Sequence, residues 1–391
     1  MFLTFPIMVI RVDTIEKTID WRWMNMVYVG ISSFVLSFVW RYLTGKSTSR
    51  KAERADRKRE RKSFLQRVAS EKKLSLPAIA VVALAAAVFP FVSSTYQTNI
   101  MTTALMYVVL GLGLNIVVGQ AGLLNLGYVA FYAAGAYTYA LLYYHFGVGF
   151  WLALPLGALA ATILGILLAL PVLRLQGDYL AIVTLGFGEI TRIVLENWNE
   201  FSFGPSGISG IPRPGLFGME LSMQDAQVYL YFLMIGLCIV TMFVVNRLQD
   251  SRIGRALLAL REDEIACQAM GIDKTKVKMT AFALGSTWAG LVGVFFAAKT
   301  TFVNPASFTF LESAMILSIV VLGGTGSIIG IVIGALVLIL LPEYLRAFSD
   351  YRMILFGIIM VIMMVFRPQG IVAGVRKKYE FQTEGDKLKK L

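Results

Sequence analysis

The residue types that catalyse reactions or bind nucleotides are not arranged for that work in this chain. Residues 45–47, with the sequence GKS, match the end of the phosphate-binding pattern G-x-x-x-x-G-K-[ST], but Trp40 stands where the first glycine is required. The sequence contains no H-E-x-x-H pattern, and its two cysteines, Cys238 and Cys267, belong to no ligand cluster. We therefore predict no catalytic, cofactor or metal site. Any energy for uphill work must come from a partner or an ion gradient.

Two ionisable residues interrupt an apolar segment. Glu189 and Arg192 are three positions apart, which places them on one face of a helix. Charged groups inside a membrane are costly, and they usually face the bundle interior in pairs. The pair is either a structural ion pair or a gate or solute contact on a translocation path. A proton-coupled carrier would also need such a pair.

Amides and glycines concentrate between residues 111 and 135. Small residues allow helices to approach closely, so tight packing is one interpretation of the glycines. The amides of Asn115, Gln120 and Asn125 would hydrogen-bond either a polar solute or the backbone of a broken helix. All three are candidates for the translocation path.

The elements that position these residues must lie in a membrane. Hydrophobic residues make up 57% of the chain and charged residues 15%, and no Asp, Glu, Lys or Arg occurs between Leu74 and Leu173. We predict an all-α polytopic membrane protein with about 10–11 transmembrane segments. The expected spans are 23–41, 78–94, 98–119, 123–144, 148–173, 179–196, 227–246, 278–298, 311–323, 328–341 and 352–366. The pieces 311–323 and 328–341 are each short for a full crossing, so this region either crosses the membrane twice or consists of half-helices that break within the bundle.

A basic linker sets the orientation of the spans. Residues 41–73 carry thirteen Lys and Arg against four Asp and Glu. This cluster flanks an apolar span, so we attribute it to the positive-inside rule and to attraction by anionic membrane lipid rather than to nucleic acid. The N-terminus is then outside, the 197–225 loop is outside, and the C-terminus is cytoplasmic. The expected parts are an N-terminal extension (1–73), a transmembrane domain (74–371) and a charged cytoplasmic tail (372–391).

The cytoplasmic loop 247–278 is the strongest sign of an external partner. It predicts one helix from Gly254 to Met270 that ends at Gly271, with Leu258 and Ile265 on its apolar stripe. The acidic triplet 262–264 would be repelled by anionic lipid. We therefore favour docking into a groove of a partner protein over a position on the lipid surface.

The external stretch 203–212 is rich in glycine, proline and serine. This composition suits a disordered loop. It also suits a docking surface for a soluble solute receptor, and both interpretations stay open.

The cytoplasmic segment resembles the E-A-A…G coupling loop of ABC importer permeases, with Ile265 at the middle alanine. Three further stretches resemble the M-type permease subunit of branched-chain amino-acid importers, the LivM family. They are GLGLNIVVGQAGLLNLGYVAFYAAGAY (111–137), PVLRLQGDYLAIVTLGFGEITRI (171–193), and ESAMILSIVVLGGTGS with MMVFRPQGI (312–327 and 363–371). The likeness runs from about residue 13 to residue 371.

The resemblance implies a permease bundle like those of ribose and branched-chain amino-acid permeases. It also implies an inner-membrane importer assembled from several partners. These are a second homologous permease, two cytoplasmic ATP-binding subunits and a periplasmic or surface-tethered solute-binding protein. The implied coupling residues, together with Leu258 of the stripe, are Arg261, Glu262, Glu264, Ala266, Met270 and Gly271.

The expected activity is import of leucine, isoleucine and valine by alternating access, with residues 254–271 moving as a rigid lever. The permease would have no ATPase site of its own. Related permeases carry urea or short amides, which is one alternative. An ion-coupled secondary amino-acid carrier that uses Glu189 and Arg192 is another.

Overall fold

The computed structural model describes residues 10–13, 18–21, 86–175, 177–215 and 222–344, with 357–358, 361, 365 and 370–372. The predicted span 23–41, the linker 41–73, about half of the span 78–94, most of the span 352–366, and the tail after 372 lie outside these residues.

The chain divides into two units, Met1–Val82 and Ala83–Leu391. In the first unit, strands β1 (Ile10–Asp13) and β2 (Thr18–Trp21) pair antiparallel.

The described part of the second unit is almost entirely helical. Residues 86–92 form a helical segment ahead of the labelled elements. The helices are α1 (Thr95–Asn115), α2 (Val129–Phe146), α3 (Phe150–Val172), α4 (Gly177–Asn197), α5 (Asn199–Ser202), α6 (Met223–Gln249), α7 (Arg252–Glu262), α8 (Glu264–Ala269), α9 (Lys274–Thr300), α10 (Phe310–Gly323) and α11 (Ile328–Tyr344). A π-helix (Ile116–Gln120), two 3₁₀ turns (Gly204–Ser206 and Pro305–Ser307) and strands β3 (Ile208–Ser209) and β4 (Phe302–Val303) complete the set.

The predicted all-α polytopic membrane architecture is confirmed. Five helical stretches of the described chain are long and apolar enough to cross a bilayer. They are Thr95–Gln120, Phe150–Val172, Gln224–Gln249, Lys274–Thr300 and Pro305–Gly323. The total of 10–11 segments stays a prediction, because several of the expected spans fall outside the described residues.

Helix α9 lies at the centre of the bundle and packs through glycines. A Cβ atom built on Gly290 would lie 2.5 Å from both the Gly157 carbonyl oxygen and the Ala161 Cβ of α3. One built on Gly135 of α2 would lie 2.1 Å from the Gly290 carbonyl oxygen. Three helix backbones thus meet at Gly290, and the interpretation of the glycines as packing residues is confirmed.

The predicted span 123–144 begins too early. Helix α1 runs into the π-helix Ile116–Gln120, and no regular helix follows until Val129. Gly122 takes φ +71°, and the Asn125 carboxamide oxygen accepts from the Gly127 N–H at 3.0 Å in a local turn. Both features break the helix that the apolar run predicted.

Side chains from neighbouring helices bind the irregular stretch 121–128 and the start of α2. The Leu126 N–H donates to Thr184 Oγ1 at 3.0 Å, and the Val129 N–H donates to Ser313 Oγ at 3.0 Å. Non-helical backbone at membrane depth is tolerated where protein groups satisfy it, as these bonds do.

Helices α10 and α11 form a hairpin at the predicted break. Their close contacts pair Gly323 with Gly330 and Ile319 with Gly334, so the two helices run antiparallel. The turn between them has Gly324 at φ +107° and Gly326 at φ +86°. With 14 and 17 residues, the helices are about 21 and 26 Å long by themselves, and α10 reaches the length of a membrane span only together with the preceding turn Pro305–Ser307.

The interpretation of 203–212 as a disordered loop is wrong. Ile208 pairs with Val303 and Ser209 with Phe302 in an antiparallel ribbon, and the Tyr139 hydroxyl donates to the Pro212 carbonyl at 2.8 Å. Docking of a solute receptor on this surface stays a prediction.

Candidate functional site

The loop 247–278 contains two helices where the sequence predicted one. Asp263 is extended, at φ −159° and ψ 116°, and it separates α7 from α8. Its carboxylate accepts from the N–H groups of Ile265 and Ala266 at 2.8 and 2.9 Å, so it caps α8. Aspartate favours this N-cap role over a helix interior, which explains the break. The prediction that 254–271 is a single rigid helix is therefore wrong. Gly271 ends the element at φ +81°, as expected.

The two helices, called the coupling element below, have distinct inner and outer faces. Leu257 and Cys267 are buried against the bundle. Ile265 and Met270 are 80% and 82% exposed. These apolar side chains are available for contact with another molecule.

Arg261 connects the coupling element to the membrane helices. Its Nη1 donates to the Gly119 carbonyl oxygen at 2.5 Å, and its Nη2 donates to Thr325 Oγ1 at 3.5 Å. Gly119 belongs to the π-helix, and Thr325 lies in the turn between α10 and α11. One guanidinium thus contacts two irregular points of the bundle.

The α10–α11 turn is held from two further helices. The Asn115 carboxamide oxygen accepts from the Gly326 N–H at 2.8 Å, and Gln249 Nε2 donates to the Gly326 carbonyl at 3.2 Å. Of the two roles predicted for the amides, Asn115 takes the one that binds the backbone of a broken helix.

Glu264 and Lys278 form a buried ion pair that the sequence analysis missed. Glu264 Oε1 lies 2.8 Å from Lys278 Nζ and 3.5 Å from Lys274 Nζ, and the Lys278 side chain is 2% exposed. Lys278 Nζ also donates to the Leu173 carbonyl at 3.3 Å. The spacing of Lys278 from the buried residues Phe282 and Gly285 places it on the inner face of α9, a signal that the sequence contains.

A cavity of about 320 Å³ lies beside this pair. Charged groups of Arg261, Glu264 and Lys278 line one part of it, and Leu123 and Leu180 line another. The coupling element therefore surrounds a space next to the irregular stretch 121–128.

Two groups near the element have shifted pKa values. Burial, followed by the Asp263 and Glu264 carboxylates, raises the pKa of the Cys267 thiol, which keeps it protonated and inert. The backbone N–H of Lys276 lowers the pKa of Asp273, the residue that caps α9.

The amides predicted for the translocation path are fully buried. Gln120 is 1% exposed, and neither of its amide atoms has a partner in the described part of the chain. The Nδ2 atoms of Asn115 and Asn125 are likewise unpaired there. Unsatisfied polar atoms are rare in native structures, so these three side chains stay candidates for contact with a solute.

Glu189 and Arg192 do form an ion pair, within α4. Arg192 Nε lies 3.0 Å from Glu189 Oε2, and Arg192 Nη1 lies 2.8 Å from Glu196 Oε2. The Glu189 and Arg192 side chains are 31% and 27% exposed, so their own subunit covers them only in part.

The predicted coupling residues separate into two groups by contact. Arg261 and Glu264 contact the bundle, whereas five others lie at exposed positions, namely Leu258, Glu262, Ala266, Met270 and Gly271.

Comparisons with known proteins agree with this architecture. Residues 96–364 match the family model described as branched-chain amino acid transport system / permease component. The chain is 46% identical to the high-affinity branched-chain amino acid transport system permease protein LivM of Salmonella typhimurium, over 80% of this chain and 78% of that one. It is 46% identical to LivM of Escherichia coli K12, over 80% and 77%, and 23% identical to LivH of the same strain, over 70% and 93%. No solved structure matches the chain.

Proposed function

This chain belongs to the family of permease components of branched-chain amino acid transport systems, and from that membership we propose that it is one permease of an ATP-driven importer. Its solutes are leucine, isoleucine and valine. It forms the translocation path together with a second, homologous permease such as the LivH-like relatives.

The contact of Arg261 with Gly119 and Thr325 is the observation that carries this proposal. It joins an exposed cytoplasmic element to the points where the membrane helices are least regular. Force applied to α7 and α8 therefore reaches the π-helix and the α10–α11 turn directly. These are the places where helices change shape at least cost, because their backbone already departs from the α-helical ladder.

The exposed face of the coupling element is the docking surface for an ATP-binding subunit. Leu258, Ile265 and Met270 present apolar side chains, and Glu262 lies beside them. Two such subunits bind and hydrolyse ATP, while a solute-binding protein docks at the opposite end near the β3–β4 ribbon. Each partner must prefer a different conformation of the permease, since a ligand that binds both equally shifts nothing.

The protein spans the cytoplasmic membrane several times, with its N-terminus outside and its C-terminus in the cytoplasm. The solute passes the amides of Asn115, Gln120 and Asn125, with Glu189 and Arg192 facing the path or the second permease. No step of this transport cycle requires an acid–base or redox reaction by this chain. The partner subunits supply the energy.

Reconstitution tests the proposal. The chain, its second permease, two ATP-binding subunits and the binding protein are placed in liposomes, and uptake of radiolabelled leucine is measured with and without ATP. We expect uptake only with ATP and only when the ATP-binding subunits are present. Uptake by this chain alone under a proton or sodium gradient would instead support an ion-coupled carrier, and uptake of urea in place of leucine would reassign the solute.

A further inference from the structure

Two charged side chains are partly buried at the end of the bundle far from the coupling element. Lys299 lies in the last turn of α9 and Glu312 in the first turn of α10, and each makes a part-buried hydrogen bond to another helix. Both side chains contact α1 near Tyr107. Tyr107 is twelve residues before Gly119 of the adjoining π-helix, which corresponds to about 18 Å along the helix axis.

Both charges contact one face of α1. The Lys299 ammonium donates to Thr103 Oγ1, and the Tyr107 hydroxyl donates to Glu312 Oε2. Thr103 and Tyr107 are four residues apart, so they are neighbours on the helix surface, about 6 Å from each other. A cation and an anion from different helices thus approach the same patch without forming an ion pair with each other or with any other group of the described chain.

Helix dipoles explain the sign of each charge but not their convergence. A cation is favoured at a helix C-terminus and an anion at an N-terminus, and both residues follow that rule. Yet an ammonium has three donors and a carboxylate can accept several bonds, whereas a single hydroxyl contacts each group here. Both groups therefore keep hydrogen-bonding capacity for a further partner.

Aromatic rings border the two charges. Tyr132 lies 5.3 Å from Phe296 and 5.3 Å from Phe308, measured between ring centroids. Phe296 is one turn before Lys299, and Phe308 is one turn before Glu312. Tyr137 packs on Phe308 at 6.1 Å, and its buried hydroxyl has no hydrogen-bond partner in the described residues.

We propose that Lys299 and Glu312 bind the zwitterionic head group of an α-amino acid, with the aromatic rings of Tyr132, Phe296 and Phe308 against its aliphatic side chain. Lys299 donates to the carboxylate of the ligand, and Glu312 accepts from its ammonium group. The Tyr137 hydroxyl gains a partner when the carboxylate arrives.

This inference rests on the proposed function and adds to it a solute site at the outer end of the path. Such a site also selects among solutes by their charge. A neutral amide such as urea would leave both partly buried charges without a counter-charge, and each would then keep its desolvation cost.

Half-ligands test the assignment group by group. Binding of radiolabelled leucine to the purified permease assembly is measured by scintillation proximity, with competition by 4-methylpentanoate, which lacks the ammonium, and by 3-methylbutylamine, which lacks the carboxylate. In Glu312→Gln, leucine affinity falls by at least about tenfold, because a partly buried, hydrogen-bonded charge partner is lost. Competition by 4-methylpentanoate is unchanged in that variant, which also shows that it is folded. In Lys299→Met the pattern reverses, and 3-methylbutylamine is the half-ligand that still competes.

Glu343→Gln is the matched control, because Glu343 accepts from Tyr96 of the same helix α1 in the same way. Its leucine affinity should equal that of the unmodified assembly. Equal leucine affinities in all variants, loss of both half-ligands together in an intact assembly, or no leucine binding by the unmodified assembly would each overturn the site. ATP-driven leucine uptake by the unmodified assembly would still support the proposed function in those cases, and its absence would overturn the function itself.

Discussion

At the level of single residues, one buried ammonium holds the second coupling helix against the bundle. Lys278 contacts Glu264 of α8 and the carbonyl of Leu173, the residue that follows α3, and its side chain is almost completely buried. Removing one partner of a buried ion pair leaves the other charge without compensation. The pair is therefore a position where a small change separates the coupling element from the membrane helices.

Replacing Lys278 by Met tests this tether. We expect a loss of about 1–3 kcal/mol in stability, measured as a lower thermal midpoint of the purified assembly, because Glu264 loses its nearest ammonium and keeps the one of Lys274 at 3.5 Å. Lys276→Met is the control, since that side chain is 84% exposed and its pair with Asp273 is worth little. Equal thermal midpoints for the two variants would contradict the tether.

The sequence identified Arg261 and Glu264 as candidates, but it did not identify the groups that they contact. Arg261 and Gly119 are 142 positions apart, and no local pattern relates them. The break at Asp263 was easier to predict from the sequence, because an aspartate between two helical runs is a strong N-cap signal. Lys299 and Glu312 were passed over because each stands at the end of an apolar span, where a flanking charge is ordinary.

At the level of elements, glycines determine how closely the helices approach. Helix α9 reaches α2 and α3 only because Gly135, Gly157 and Gly290 carry no side chain. The apolar runs of the sequence predicted most of these helices, since about twenty apolar residues are sufficient to define a span. They did not predict the irregular stretch 121–128, because its apolar composition continues unchanged while Gly122 and Asn125 alter the backbone.

Substituting Gly135 by Ala tests this packing. The new Cβ would lie 2.1 Å from the Gly290 carbonyl oxygen, which is backbone and cannot rotate away. We expect a loss of at least about 2 kcal/mol in stability, measured by the thermal midpoint of the purified assembly in detergent.

Gly236→Ala in α6 is the matched control, because nothing lies within 4 Å of its Cβ position. It should be neutral or stabilising by up to about 1 kcal/mol, since alanine favours helix more than glycine does. A stable Gly135→Ala variant would show that α2 and α9 are not in close contact.

At the level of the whole molecule, the two ends of the bundle differ in what they present. One end has the coupling element with its exposed apolar side chains, and the other has the β3–β4 ribbon beside Lys299 and Glu312. A permease driven from the cytoplasm requires these ends to face opposite sides of the membrane. The basic linker predicted that orientation from charge alone.

Cysteine labelling tests the orientation. Glu200→Cys lies on α5 near the ribbon, and Ile265→Cys lies on the coupling element, and both positions are exposed. We expect a membrane-impermeant maleimide to label Glu200→Cys in intact cells and Ile265→Cys only after permeabilisation. The native Cys238 and Cys267 are buried and should give little background. Labelling of Ile265→Cys in intact cells would reverse the topology.

The most direct test of the central claim is the number of leucine molecules transported per ATP in the Arg261→Met variant. The claim is that the coupling element moves the membrane helices through Arg261. We expect ATP hydrolysis by the reconstituted assembly to continue while leucine uptake per ATP falls at least about tenfold, because loss of a charge-assisted hydrogen bond costs about 1.5–3 kcal/mol. Arg255→Met, which removes a bond to the Asp250 carbonyl within the same loop, should leave the ratio unchanged. An unchanged ratio in Arg261→Met would contradict the account.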